Sequence, residues 1–261
     1  MSSDANTTVL ITGANRGIGR GLAEAFLSRS NHTVIGAVRN IESTTLKDFK
    51  PAEGSKLLLV KIENTSDSDP AAAVQKIREA GITALDVVVA NAGLACPVSS
   101  LARLEDLTTE QLREMFEANT FSFVPLFQAI RPLLKAQADA GGEGHVEKGP
   151  KLLVISSTGG QIVDMEKHAS LLLSSYGASK AALNYLVRRA HFENPWLTAW
   201  LMDPGFVQTE SGNALAELFG MQSAPQTIEQ TAAGLLSKID TATRSETSGG
   251  FYGIDGGQLQ F

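Results

Sequence analysis

Seven short apolar runs, the helical patterns between them and a glycine cluster behind the first run predict an α/β fold. Its doubly wound, seven-stranded parallel sheet should carry helices on both faces. The runs are TVLIT (Thr8–Thr12), TVIGAV (Thr33–Val38), KLLLVK (Lys56–Lys61), DVVVA (Asp86–Ala90), KLLVIS (Lys151–Ser156), TAWLM (Thr198–Met202) and GFYGI (Gly250–Ile254). Most are β-rich and lack strict alternation, the pattern of strands covered on both faces. Helices between consecutive strands imply right-handed crossovers and hence a parallel sheet.

Each element carries its own signals. In TGANRGIGRGLAEAF, Gly13, Gly17 and Gly19 separate the first strand from an amphipathic helix. Ser68 or Asp69 can cap a helix running through Ala80. Thr108 with Gln111 makes a capping-box pattern ahead of LREMFEANTFSF, and Thr227 with Gln230 repeats it. The glycine-rich stretch DAGGEGHVEKGP (Asp139–Pro150) reads as a surface loop leading to the fifth strand. SSYGASKAALNY (Ser174–Tyr185) is a strong helix former ahead of the sixth strand. With 43% hydrophobic and 19% charged side chains, the 261 residues hold ample material for a core, so 1–261 reads as one domain.

Composition removes several function classes. The formal net charge is −6 and no basic run or aromatic-interleaved Lys/Arg cluster occurs, which speaks against nucleic acid as a partner. Cys96 is the only cysteine, so an internal disulfide and a cysteine-based zinc site are excluded and a reducing compartment is expected. His32, His145, His168 and His191 are isolated, without partners at metal-binding spacing, and no metal is expected. The start MSSDANTTVLITG lacks the basic and apolar regions of a secretory signal, and no apolar run reaches membrane-spanning length. The expectation is a soluble, cytoplasmic protein without membrane contact.

Glycines are required where a chain turns tightly and where backbone N–H groups approach a pyrophosphate at a helix's positive end. A Rossmann-type sheet places its dinucleotide at the first strand-to-helix turn, where Gly13, Gly17 and Gly19 stand, although a tight turn alone would also use them. An NAD-preferring site puts a carboxylate on the adenosine ribose about twenty residues further on. Here Val38 is followed by Arg39, whose guanidinium can hold a 2′-phosphate bidentately, and Arg16 can approach from the glycine turn. Either arginine could be merely solvated; together they favour NADP(H).

Four motifs in order resemble the short-chain dehydrogenase/reductase family over nearly the whole chain. They are TGANRGIG (Thr12–Gly19), NAG (Asn91–Gly93) after the fourth strand, YGASK (Tyr176–Lys180) and DPGFVQTE (Asp203–Glu210) after the sixth. The segments DVVVANAG, HFENPWLTAW and DPGFVQTE are similar to fungal polyketide ketoreductases of the norsolorinic acid ketoreductase type, with insect sniffer-like carbonyl reductases a more distant match. The resemblance implies that Gly13, Asn15, Arg16, Gly17, Ile18, Gly19 and Arg39 bind the cofactor. Glu63 or Asn64 would lie by the adenine, and Asn91, Ala92 and Gly93 on the adenosine ribose side. Pro204, Gly205, Val207 and Thr209 would contact the nicotinamide half. It further implies a catalytic set of Asn119, Ser157, Tyr176 and Lys180, with Lys180 also holding the nicotinamide ribose. Some relatives pair as dimers or tetramers through the helices after the fourth and fifth strands, while others are monomers, and both states stay open.

The chemistry of these residue types agrees. A phenol with pKa about 10 needs help to exchange its proton near neutrality. Lys180 lies at i+4 from Tyr176 on the same helix face, so its ammonium is expected to lower the phenol's pKa. Alone, such a pair is more often an amphipathic surface. Ser157 ends the fifth strand where doubly wound sheets place ligands, and by the family pattern it, not Ser156, points into the site to steady a developing oxyanion. Asn119 is a poor mid-helix residue; family position implies that its side chain or a distorted backbone holds a water relaying protons to Lys180.

Two segments should border a substrate. TGGQIVDMEKHASLLLSS, between Ser157 and Tyr176, offers Met165, His168 and Leu171 to Leu173 as pocket wall or surface excursion. SGNALAELFGMQSAPQ (Ser211–Gln226) has the mixed character of a closing lid. The leading expectation is an NADPH-dependent ketoreductase taking a hydrophobic or aromatic small-molecule carbonyl, a polyketide among the candidates, in fungal secondary metabolism. The alternatives are a non-catalytic NADP(H)-sensing regulator, an oxidative dehydrogenase, or an imine or alkene reductase on the same fold.

Overall fold

The computed structural model describes residues 6–142 and 146–261, so His145 lies outside the described residues. Eight strands form one sheet in the order β3-β2-β1-β4-β5-β6-β7-β8. In chain order they are β1 (Thr7–Thr12), β2 (His32–Val38), β3 (Lys56–Lys61), β4 (Val87–Ala90), β5 (Lys151–Ile155), β6 (Thr198–Met202), β7 (Phe251–Tyr252) and β8 (Gln258–Leu259). The helices are α1 (Gly17–Leu27), α2 (Asp69–Glu79), α3 (Thr109–Phe116), α4 (Phe123–Ala140), α5 (Ser174–Glu193), α6 (Glu210–Leu218) and α7 (Ile228–Thr241). β1 sits between β2 and β4, so the crossovers leave in opposite directions on either side of it and open a crevice at the carboxyl ends of these strands.

The strand sequences are apolar throughout because both faces are covered. Leu10, Ile35, Val60, Val88, Leu152 and Leu201 point to one side, where α2, α4 and α5 supply Ile77, Ile130, Leu133 and Val187. Their neighbours Val9, Ile11, Val34, Val89, Leu153 and Trp200 point to the other, against Leu22 and Phe26 of α1 and Leu235 and Ile239 of α7. Each fully buried side chain of this size contributes about 1.5–3 kcal/mol of transfer free energy.

The sheet has eight strands rather than seven, and its last pair is antiparallel, with Phe251 opposite Leu259 and Tyr252 opposite Gln258. A turn closed by the Gly253 N–H on the Gly257 carbonyl at 2.8 Å makes the hairpin. Two residues per strand are too few for any periodic signal. The α2 start also differs in detail: Ser68 is the N-cap without a side-chain bond, because the Asp69 carboxylate is used by the Glu63 N–H at 2.9 Å. The helix expected over LREMFEANTFSF is broken by a π turn, Glu117–Phe121, between α3 and α4.

Both capping boxes form. In α7 the Gln230 N–H donates to Thr227 Oγ1 at 3.2 Å and Gln230 Oε1 accepts the Thr227 N–H at 2.9 Å, fixing the helix that packs on α1. Thr227→Ala should therefore cost about 1 kcal/mol in urea denaturation, and Thr227→Ser should restore most of it.

Candidate active site

At the end of β1, residues 13–16 turn the chain, and Gly17, Ile18 and Gly19 are the first positions of α1. A Cβ on Gly19 would overlap the Gly13 carbonyl and the Asn91 amide, so only glycine lets the helix start this close to the strand. Asn15 is exposed at the tip, and Ile18 packs toward the core. Arg16 is the N-cap in extended conformation, and no side chain caps the first turn. Uncapped N–H groups at the positive end of an 11-residue helix fit a pyrophosphate. Arg16 itself pairs with Glu210 at the start of α6.

Arg39 follows β2 with its side chain 76% exposed, and its nearest carboxylate is Glu63 Oε2 at 3.8 Å. Glu63 thus stands beside Arg39. Asn64 is taken up in structure, its amide donating to the Ala118 carbonyl of the π turn. Asn91 and Ala92 are fastened to β1, since both N–H groups donate to Thr12 Oγ1, at 3.0 and 2.9 Å, and Asn91 Nδ2 donates to the Thr12 carbonyl at 2.9 Å. Gly93 comes next. The position a Cβ would take there is 2.9 Å from Asn119 Oδ1 and 3.7 Å from Lys180 Nζ, so glycine opens the floor between them.

The four candidate catalytic residues converge here from three elements. Lys180 Nζ lies 5.8 Å from the Tyr176 ring centroid and donates to the Ile155 carbonyl at 3.1 Å, its one hydrogen bond among the described residues. A buried ammonium with donors to spare fits the hydroxyls of a ribose. Ser157 faces Tyr176 and hydrogen-bonds its phenol, while accepting the Gly159 N–H at 3.1 Å. Ser156 points away and donates to Asn184 Oδ1 at 2.6 Å, which sets the register with Ser157 in the site. Asn119 is buried in the π turn. Its Oδ1 accepts the Leu94 N–H at 2.7 Å, and its Nδ2 donates to the Leu94 carbonyl at 3.0 Å and to Ser179 Oγ at 3.1 Å. Both amide donors are therefore engaged, leaving the distorted backbone as the part that could hold a relay water.

The turn after β6 carries Pro204, Gly205, Val207 and Thr209. Gly205 has φ +77°, and a Cβ would run into the Gln226 carboxamide, whose Oε1 is buried without a partner. Val207 pairs with Gln226 in an isolated bridge, and Thr209 caps α6 by accepting the Gly212 N–H at 3.1 Å. The Pro204 carbonyl accepts from Thr231 Oγ1 at 3.4 Å.

The electrostatics reverse one expectation. Tyr176 is not lowered by its neighbour: burial pushes its phenol far above the usual range, against the Ser157 hydrogen bond, with Asp203 and Cys96 pushing the same way. Burial disfavours the phenolate, and the neutral phenol is the form that donates a proton. The same burial lowers Lys180 to about 8, opposed by Asp203. Sequence reasoning had passed over three contributors. Asp203 and Cys96 act on Tyr176, and Ser179 accepts from Asn119 and donates to the Tyr176 carbonyl at 2.7 Å. Asp203 alone had a signal, its place ahead of Pro204 in a quoted motif.

The model of the short chain dehydrogenase family matches residues 7–217. The chain belongs to that family. A short-chain dehydrogenase of Pyricularia oryzae is 44% identical over 97% of this chain and 98% of its own. The norsolorinic acid ketoreductase of Aspergillus parasiticus is 41% identical over 97% and 90%. Among solved structures, the NADPH-bound carbonyl reductase from chicken fatty liver has a TM-score of 0.82 at 25% identity over 98% and 99%. The carbonyl reductase Sniffer of Caenorhabditis elegans has 0.80 at 26%, over the same shares.

The loops at the carboxyl edge of this short-chain dehydrogenase's sheet carry exposed apolar side chains. Val98 and Leu104 after β4, Met165 and Leu172 after β5, and Phe219 and Met221 after β6 are all exposed large hydrophobic side chains. The long segment before Tyr176 is tied at both ends, the Val163 N–H donating to the Phe261 carbonyl at 2.9 Å and the Ala102 N–H to the Leu172 carbonyl at 3.1 Å. α6 packs against the Val98–Ser100 turn. Among the described residues no helix is long and apolar enough to cross a membrane.

Cys96 offers a test of how dry the cleft is, because burial pushes its thiol up to about 11. At pH 8 the thiolate fraction falls roughly 100-fold below that of an ordinary thiol with pKa about 9. Iodoacetamide should therefore label native Cys96 about 100-fold more slowly than the urea-unfolded chain, as read by mass spectrometry.

Proposed function

We propose that this short-chain dehydrogenase is an NADPH-dependent ketoreductase that reduces a carbonyl of a hydrophobic or aromatic small molecule to an alcohol. The observation carrying the reading is the convergence of Tyr176, Ser157 and Lys180 at the carboxyl edge of β5, with Lys180 Nζ 5.8 Å from the Tyr176 ring centroid, below loops that carry exposed apolar side chains. A reduced nicotinamide bound along the Gly13–Gly19 turn and the Pro204–Thr209 turn would supply the hydride to the carbonyl carbon. Tyr176 transfers its hydroxyl proton to the carbonyl oxygen as negative charge develops there. Ser157 donates a second hydrogen bond to the same oxygen, an oxyanion contact of the kind worth roughly 100-fold or more in rate. Lys180 faces the resulting phenolate, stabilises it and returns a proton to it, with the π-turn backbone at Asn119 as the route from solvent.

Cofactor choice follows from the arginines. Arg39 has no carboxylate in the ribose-binding position of β2, and its guanidinium is free to meet a 2′-phosphate once it leaves Glu63. The relatives named for ketoreductase and NADPH-bound carbonyl reductase activities support both the reaction and the cofactor. The exposed apolar side chains support a large, flat or greasy substrate, and the relatives named norsolorinic acid ketoreductase support an aromatic one.

The deciding experiment follows NADPH absorbance with a panel of aryl and polyketide-like ketones. Tyr176→Phe should lose about 100- to 10,000-fold in kcat with cofactor binding kept. Unchanged turnover would remove Tyr176 from the chemistry, and tight cofactor binding with no turnover on any carbonyl would favour a sensor. Arg39→Asp should move selectivity from NADPH toward NADH by at least about tenfold, the weight of one charge-assisted hydrogen bond. A variant that keeps its NADPH preference would overturn the phosphate assignment.

A further inference from the structure

Lys180 and Asp203 are the only charged side chains among the fully buried polar residues of the described chain, at 6% and 8% exposure. Burying a charge is costly unless an opposite charge or several hydrogen bonds compensate it. Lys180 has one hydrogen bond, to Ile155 at the end of β5. Asp203 follows β6, the strand beside β5, and its own N–H is held by the Tyr252 carbonyl of β7 at 2.9 Å. Its two carboxylate oxygens are shared between two loops. Oδ2 accepts the N–H of Thr158, the residue after Ser157, at 2.8 Å, and Oδ1 accepts the N–H of Gly205 at 2.7 Å.

We propose that Asp203 is a positioning residue and the buried counter-charge of this site: it locks the Ser157 loop to the Pro204–Gly205 turn and supplies the negative charge that lets Lys180 stay an ammonium near neutral pH. No direct ion pair joins the two, so the charge acts across the cleft. An asparagine could not replace it, because its single oxygen would satisfy one loop while its NH₂ group confronted the other N–H. The titratable groups acting on the Tyr176–Lys180 pair are Cys96 from the loop after β4, which acts on Tyr176, and Asp203 after β6, which acts on both; Asn119 and Ser157 are neutral. Asp203 is the one carboxylate among them. It opposes the desolvation that brings Lys180 to about 8, and it pushes the Tyr176 phenol up, toward the proton-donor form. The proposal rests on the ketoreductase reading for its link to catalysis.

The sign of the effect is fixed. Removing the negative charge in Asp203→Asn lowers the pKa of both Lys180 and Tyr176. In the cofactor-free protein, competitive acetylation of Lys180 by acetic anhydride across pH, read by peptide mass spectrometry, should show a midpoint lowered by about one unit in the variant. The alkaline limb of kcat/KM for NADPH-dependent reduction should move down with it. Thr158→Pro separates the tether from the charge. Position 158 opens a short helical turn after an extended Ser157, a place proline accepts, so the variant loses the N–H bond alone. It should keep the wild-type Lys180 midpoint and lose turnover through a misplaced Ser157.

An Asp203→Asn protein that folds with an unmoved Lys180 midpoint overturns the proposal. Should the single variant fail to fold, Asp203→Asn combined with Lys180→Met carries the test. Removing both buried charges should restore folding, and a double variant no more stable than Asp203→Asn alone would equally overturn it. Absence of carbonyl turnover in the wild type would remove the ketoreductase reading and leave the charge pairing standing, because acetylation needs neither cofactor nor substrate.

Discussion

Desolvation at the carboxyl edge of β5 governs this molecule's chemistry. The Tyr176 hydroxyl and the Lys180 ammonium lie where water is scarce, and in such a place the neutral phenol and the neutral amine are each favoured over their ions. A phenol kept protonated is a proton donor in waiting, and an amine brought to about 8 can give and regain a proton close to physiological pH. The i+4 spacing on α5 brings the two together, yet the spacing alone would place them on a wet helix face. The loops after β4, β5 and β6 that close over this edge set the pair apart from such a face.

The sheet makes that edge. Because β1 lies between β2 and β4, the crossovers diverge and leave the crevice into which the first glycine turn, the Asn91–Gly93 segment and the β6 turn all open. Backbone bonds then fix these loops on one another. Thr12 receives both Asn91 and Ala92 N–H groups, Asn119 clamps Leu94 to Ser179, and Asp203 joins Thr158 to Gly205. Polar side chains at this edge act as rivets between loops that share no secondary structure. Position within a few tenths of an ångström is what oxyanion and proton-transfer contacts require.

Much of this was legible in the sequence because it is local. Gly13 to Gly19 announce a strand-to-helix turn, Tyr176 and Lys180 fall one helical turn apart, and the apolar strands betray a sheet covered on both faces. What escaped depends on partners distant in the chain. The π turn at Asn119 is stabilised where Thr120 Oγ1 meets the Ser179 carbonyl at 2.8 Å, sixty residues on in round terms. β8 exists only because Phe251 and Tyr252 offer an edge. The upward push on Tyr176 comes from burial and from Asp203 and Cys96, three things the spacing of YGASK does not encode.

The same contrast between local charge and context explains the two arginines expected at the phosphates. Each already has a carboxylate from its own chain, Arg16 with Glu210 and Arg39 with Glu63. Both pairs are solvent-exposed, so each holds its arginine with at most about 1 kcal/mol and is further weakened by salt. A doubly charged phosphate offers a stronger, bidentate partner and displaces such a carboxylate at small cost. On the NADP(H) reading proposed above, the carboxylates would leave a preference for the phosphorylated dinucleotide in place while moderating its strength. They also keep the arginines oriented at the crevice, sparing the cofactor part of the entropy of ordering two long side chains.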